Sequence, residues 1–194
     1  NGVKVEVDFG IPAENKVALT GDNAWSNPEA DVIGDLLNFV QTYEDQNGGE
    51  TPAVIYLSRE VQALLLKNTT IVTEVAGAGS GRTRVSVEEL NSVLGGYGLP
   101  PVEVVTDRKA TVKNVYTGET EVIEFFPVNR IVMLSEGIGN FLFGPTVEND
   151  FEPGIVLEAK DKDEPIQSIL RAVAAGFPAI EQPSRIFHAD VYTP

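Results

Sequence analysis

The sequence predicts an α+β fold, on two observations. Helix-period apolar patterns with start signals occupy residues 26 to 96, and period-two alternation takes over from residue 102. A third observation bounds the size: 194 residues, 42% of them apolar, suffice for one buried core in one domain or two unequal lobes.

The elements follow in order. "VKVEVDF" alternates Val3, Val5 and Val7 with Lys4, Glu6 and Asp8, the period of a half-buried strand. "SNPEADVIGDLLNFVQTY" reads as the first helix: Ser26 and Glu29 form a capping box, Pro28 suits the first turn, and Ile33, Leu36, Leu37 and Val40 share a face. "DQNGGETP" is a loop and "AVIYL" a buried strand. Ser58 then caps a short helix with Val61, Leu64 and Leu65 inward. An apolar, β-branched run leads into the glycine-rich "GAGSGRT". Ser86 and Glu89 form the S-x-x-E box of a third helix, lined by Val87, Leu90 and Leu94 and stopped by Gly95 and Gly96.

The second half is β-structure. "PVEVV" is a short strand, and "ATVKNVYTGETEVIEFFP" is a hairpin turning at Thr117 and Gly118. "RIVMLS" and "NFLFG" are further strands. In "EPIQSILRAVAAGFPAI", Ile166, Ile169, Leu170 and Val173 fit a helix, but Gly176 and Pro178 break it, and the small residues also suit a closely packed strand. "SRIFHADV" puts Phe187, Ala189 and Val191 on one face and Ile186, His188 and Asp190 on the other. The two terminal alternating segments are expected in one sheet, away from the helices. No repeat is present.

Charge and composition exclude several functions. A net charge of −15 repels a phosphate backbone, so sequence-specific nucleic-acid binding is disfavoured. The absence of cysteine removes disulfides and thiolate metal sites. No apolar run reaches the ~20 residues of a membrane span. The chain begins at Asn1 with no initiator methionine, and is expected to be a fragment.

The motifs that resemble chemistry are each incomplete. A P-loop needs G-x-x-x-x-G-K-[ST], but Ala76 stands at the first glycine and Arg82 at the lysine, and the helix starts only at Ser86. The glycines at 77, 79 and 81 are also out of step with G-x-G-x-x-G. "DFG" at Asp8 to Gly10 has no kinase apparatus before it and reads as a strand end and turn. "DKDEP" at Asp161 to Pro165 carries Pro165 and Ile166 where a calcium loop needs a ligand and a glycine, and is expected to be an acidic loop. His188, the sole histidine, cannot form a two-histidine metal motif. Trp25 is expected to be a packing anchor, with sugar stacking as its alternative. No catalytic residue, cofactor or metal site is assigned.

Three stretches, "VEVDFG", "WSNPEADVIGDLLNFV" and "VIYLSREVQALLLKN", together with the later "GLPPVEVV", "FFPVNRIVMLSEGIGNFLFGPT" and "FPAIEQPSRIFHADV", resemble the phage lambda-like major capsid protein E family in their order and wording. The resemblance covers nearly the whole chain. It implies the tailed-phage (Hong Kong 97-type) capsid fold, with residues 20–150 as the axial lobe at the capsomer centre and residues 1–19 and 151–194 as peripheral-lobe strands. It implies extended structure through "QSILRAVAAGFPAI". It places the N-terminal arm, E-loop and spine helix before Asn1. The implied function is a major capsid subunit of a phage or prophage head, not an enzyme, self-assembling into pentamers and hexamers of an icosahedral shell that encloses double-stranded DNA without sequence-specific binding. The implied partners are other copies of itself, with head-decoration, scaffolding and portal proteins as further partners and no membrane. The implied location is the virion capsid, after synthesis in the host cytoplasm. Arg82 and Arg84 are candidate intersubunit contacts, and this chain by itself is expected to be monomeric. The alternative is an acidic nucleotide- or small-ligand-binding domain using the Gly77–Thr83 loop.

Overall fold

The computed structural model describes residues 8–114, 117–163 and 166–194. Its elements are β1 (Lys16–Ala18), α1 (Val32–Gln46), β2 (Val54–Leu57), α2 (Arg59–Leu65), α3 (Thr69–Ala76), α4 (Val87–Gly96), β3 (Val102–Val104), β4 (Lys109–Lys113), β5 (Thr120–Glu124), β6 (Arg130–Leu134), β7 (Gly139–Gly144), β8 (Ile155–Asp163), β9 (Ile166–Ile180) and β10 (Ile186–Asp190). They form two compact units. One comprises the chain up to Glu136 together with Pro183–Pro194, and the other Gly137–Gln182.

The first unit is built on a five-stranded sheet of order β1-β10-β6-β2-β3. Its alternating sequences put one face in the core: Phe187 and Ala189 of β10, Ile131 and Met133 of β6, and Ile55 and Leu57 of β2 are all buried, and the intervening or adjoining Ile186, Val132 and Tyr56 are half-buried. The register stacks Phe187 beside Met133 and Met133 beside Ile55. The helices supply the other side of this core, with Phe39 of α1 and Phe187 at a ring separation of 5.2 Å. The alternation expected in "SRIFHADV" is therefore correct, but its expected separation from the helices is not. The strand that pairs with it at its outer edge is β1, parallel, with Lys16 beside His188. Of the expected opening strand, "VKVEVDF", residues 3–7 lie outside the described residues. Just before β1, the buried Asn15 donates from Nδ2 to the carbonyls of Ser184 (2.9 Å) and Ile186 (3.1 Å), fixing the two segments together.

Two helix boundaries depart from expectation, each for a readable reason. No capping box forms at Ser26, and α1 starts at Val32, with Asp31 accepting from the Gly34 amide at 3.0 Å. The carbonyls of Pro28 and Ala30 are engaged by Asn68, whose Nδ2 donates to both (3.1 and 2.9 Å), so they are turned away from any helical ladder. Asn68 also caps α3, a helix absent from the expectation because Ile71, Val72, Thr73 and Val75 are β-branched and low in helix propensity. Burial of Ile71 and Val72 outweighs that preference. Further on, α4 runs through Gly95 and Gly96, and the chain reverses at Gly98, whose φ of +74° favours glycine.

The second unit is a three-stranded antiparallel sheet of order β7-β9-β8. The strand reading of "QSILRAVAAGFPAI" is correct. Its small residues have a direct use: a Cβ at Gly176 would come within 2.6 Å of the Leu142 carbonyl and of the Phe141 ring. The expected acidic loop at Asp161 is instead the end of β8, where Asp161 pairs with Ser168, because cross-strand pairing with β9 continues to Asp163 and Ile166. Glu164 and Pro165 lie outside the described residues. Residues 183–194 belong with the first unit because β10 pairs with β6.

β4 and β5 form a separate two-stranded hairpin that turns at the expected place, with the Gly118 amide donating to the Asn114 carbonyl at 2.8 Å.

Candidate functional site

The glycine-rich stretch joins α3 to α4, and Gly77, Gly79 and Gly81 all have φ between +72° and +80°. It borders an open cavity of about 310 Å³ with Lys67, Thr69 and Thr73. Three of its amides are engaged by neighbouring groups of the chain. The Gly77 amide donates to the Thr73 carbonyl (2.8 Å), Ser80 to the Gly77 carbonyl (3.4 Å) and Arg82 to Ser80 Oγ (3.4 Å).

The N-terminus of α4, where a phosphate would sit, is already occupied by a carboxylate. The expected capping box is present: Ser86 Oγ accepts from the Glu89 amide (3.2 Å), and Glu89 accepts from the Ser86 amide (2.8 Å). Glu89 also receives both Arg82 guanidinium nitrogens, at 2.9 and 2.8 Å. Those Arg82 hydrogen bonds, followed by the Ser86 amide, hold its carboxyl down to about 2. Arg82 is thus committed within its own chain. Arg84 is exposed and has no hydrogen bond or ion pair among the described residues. Both arginines border one shallow groove of about 470 Å³, together with Ser86 and Glu88.

The other sequence candidates resolve as structural groups. Trp25 is 2% exposed and donates from Nε1 to Asp35 at 2.9 Å, so its ring has no open face for a sugar. Burial raises the Asp35 carboxyl, and the indole hydrogen bond opposes that rise. His188 lies half-buried on β10. Desolvation lowers its pKa, the Arg130 cation lowers it further, and Asp190 opposes both. Arg130 instead holds Asp190 through two hydrogen bonds (2.7 and 2.9 Å), lowering the Asp190 carboxyl. At Asp8 to Gly10 the Gly10 amide donates to the Asp8 carboxylate at 2.9 Å, a turn. No group of metal-ligating side chains occurs among the described residues.

The sequence reading passed over one charged feature. The hairpin is basic along β4, with Lys109 and Lys113 after Arg108, and acidic along β5, with Glu121 and Glu124 after Glu119. The signal was present in "RKATVK" and "ETEVIE", read only for their alternation.

A family model described as phage major capsid protein E matches residues 1–155. Among solved structures, a phage-related protein from Bordetella bronchiseptica RB50 is 14% identical, with a TM-score of 0.58 over 92% of this chain and 57% of its own. A candidate capsid protein of a prophage of Escherichia coli CFT073 is 17% identical, with a TM-score of 0.55 over 95% of this chain and 55% of its own. The chain thus spans little more than half the length of either structure. No curated protein matches the sequence.

Proposed function

Because the chain belongs to the phage major capsid protein E family, we propose that it is a major capsid subunit whose copies pack head to tail into the pentamers and hexamers of an icosahedral shell around double-stranded DNA. The observation that carries this reading is the family match over residues 1–155, supported by a fold similar to a prophage capsid protein along nearly the whole chain. Such a subunit works by presenting two different patches that fit each other around an axis, and it needs no reactive constellation. A net charge of −15 agrees with a wall that encloses DNA without gripping it.

In this reading residues 20–150 are the axial lobe at the capsomer centre, and residues 1–19 and 151–194 supply peripheral-lobe strands. Arg84, unpaired, and Arg82, shared with Glu89, are candidate contacts to a neighbouring copy, where rim charges steer association more than they strengthen it. Head-decoration, scaffolding and portal proteins are further partners, the protein is made in the host cytoplasm, and its destination is the virion. The nucleotide alternative is opposed by the engagement of the Gly77, Ser80 and Arg82 amides by neighbouring groups of the chain and by Glu89 at the start of α4.

The test is to purify DNA-containing particles from cells that express the gene in its genomic setting. This sequence is expected as the most abundant protein of the heads, and its absence from them would overturn the proposal. A second measurement addresses the alternative: ligand at ~100 times its Kd adds ~2.7 kcal/mol of stability, so a thermal shift with nucleotides would revive it.

A further inference from the structure

The β4–β5 hairpin is a sheet with two free edges. Phe125 donates from its amide to the Arg108 carbonyl (3.0 Å) and Asn114 to that of Glu119 (2.8 Å), which sets the alternation of the ladder. By that alternation the amides and carbonyls of Lys109, Thr111 and Lys113 point away from β5, and those of Thr120, Val122 and Glu124 point away from β4. A lone two-stranded ribbon is marginal in water, and this one leaves Val112, Val122, Ile123 and Phe125 exposed by 46 to 60%.

The charges on the two strands differ in sign. Lys109 pairs with Glu124 inside the hairpin at 3.6 Å, but Lys113 on β4, Glu121 on β5 and Glu119 just before β5 make no ion pair among the described residues. Edge lysines ordinarily discourage strand addition. Here they select among its forms. Two antiparallel β4 edges would set Lys109 against Lys113, and two β5 edges would set Glu124 against the neutral Thr120. Only β4 against β5 brings opposite charges together.

We propose that this hairpin joins copies of the chain by strand addition, β4 of one copy pairing antiparallel with β5 of the next, with Lys109 opposite the neighbour's Glu124 and Thr111 opposite its Val122. The contact is head to tail, so each copy keeps a free edge for a further copy until a ring closes. Main-chain hydrogen bonds supply the attraction, and the charge split supplies direction and partner choice. The proposal deepens the shell-subunit reading, and rests on it for the occupant being another copy of this chain.

Single-cysteine chains test it without background, since the protein has no cysteine. Opposed residues in such a pair lie about 5.5 Å apart at Cα, within disulfide reach. Thr111→Cys and Val122→Cys chains, one of them tagged, are mixed at high concentration and mildly oxidised, with the fold of each checked by circular dichroism. The mixed disulfide is expected to exceed either homodimer by about tenfold, against the twofold excess of random collision. Lys109→Glu with Lys113→Glu in the Thr111→Cys chain should remove that excess. Adding Glu121→Lys and Glu124→Lys to the Val122→Cys chain should restore it. If Thr111→Cys does not fold, Lys113→Cys with Thr120→Cys reads the same register. Statistical yields, or no mixed product, overturn the proposal. Particles that form normally from chains carrying Lys109→Glu and Lys113→Glu would overturn it while leaving the shell reading intact, and a mixed link without particles would do the reverse.

Discussion

The two compact units solve the problem of an apolar sheet differently. In the first, every strand of the core alternates, and the inward set closes over helices, so that Phe187, Ile131, Met133 and Leu57 are fully buried. In the second, none of the described residues is buried, although β8 and β9 pair over nine positions and Leu157, Leu170, Phe177 and Phe151 are apolar. Its order comes from backbone pairing and from the close approach that Gly176 and Gly139 permit. The first unit has its own hydrophobic core and the second has a ladder, so side-chain truncation separates them most sharply.

The largest expected effect is at that contrast. Phe187→Ala, which empties a buried site against Phe39, is expected to cost about 3–5 kcal/mol, whereas Leu157→Ala, at 69% exposure, is expected to stay within about 0.5 kcal/mol. Urea melts of both variants check this, and equal losses would show that the second unit has a core of its own. Next is Asn68→Ala, which removes the α3 cap and the donor to Pro28 and Ala30. The loss is expected near the top of the cap range, about 2 kcal/mol, with the increase in hydrogen exchange confined to residues 28–34 and 68–76. Ser86→Ala should cost about 1 kcal/mol by loss of its cap, read in the same melts. If Ser86→Ala matched Asn68→Ala, the Asn68 bridge between α1 and α3 would carry no weight beyond an ordinary cap.

The smallest effect is pH-dependent. Lys16 on β1, Arg130 on β6 and Asp190 on β10 face His188, and burial with the two cations lowers its pKa in the folded state. The unfolded chain therefore binds the proton first as pH falls below about 6.5. The stabilisation is whole above that pH and is lost as pH drops through the folded pKa. Melts of the wild-type protein at pH 7 and 5.5 should show a small loss that is absent in His188→Gln. Equal losses in both would assign the effect to other groups.

Where order is local, the sequence disclosed it. The Ser58 and Ser86 caps, the turn at Gly118 and the alternation of β10 each depend on neighbours within a few residues. The start of α1 was misread because its decisive partner, Asn68, lies some forty positions away. For α3 the β-branched residues Ile71, Val72, Thr73 and Val75 argue against a helix, and burial of Ile71 and Val72, which no local pattern shows, decides otherwise. β1, only three residues long, owes its existence to a parallel partner at the other end of the chain. In the hairpin, the charges are legible and their placement on opposite edges is not, because edge status is a property of the whole sheet.

The place of β10 between β1 and β6 also sets when the fold can be completed. During synthesis β2, β3 and β6 can pair as they emerge, but β1 has no partner until residues 186–190 leave the ribosome, and Asn15 waits for Ser184 and Ile186. At about 5–20 residues per second, that interval lasts several seconds or more. From residue 134 until residues 186–190 emerge, the growing chain therefore carries one edge of β6 open.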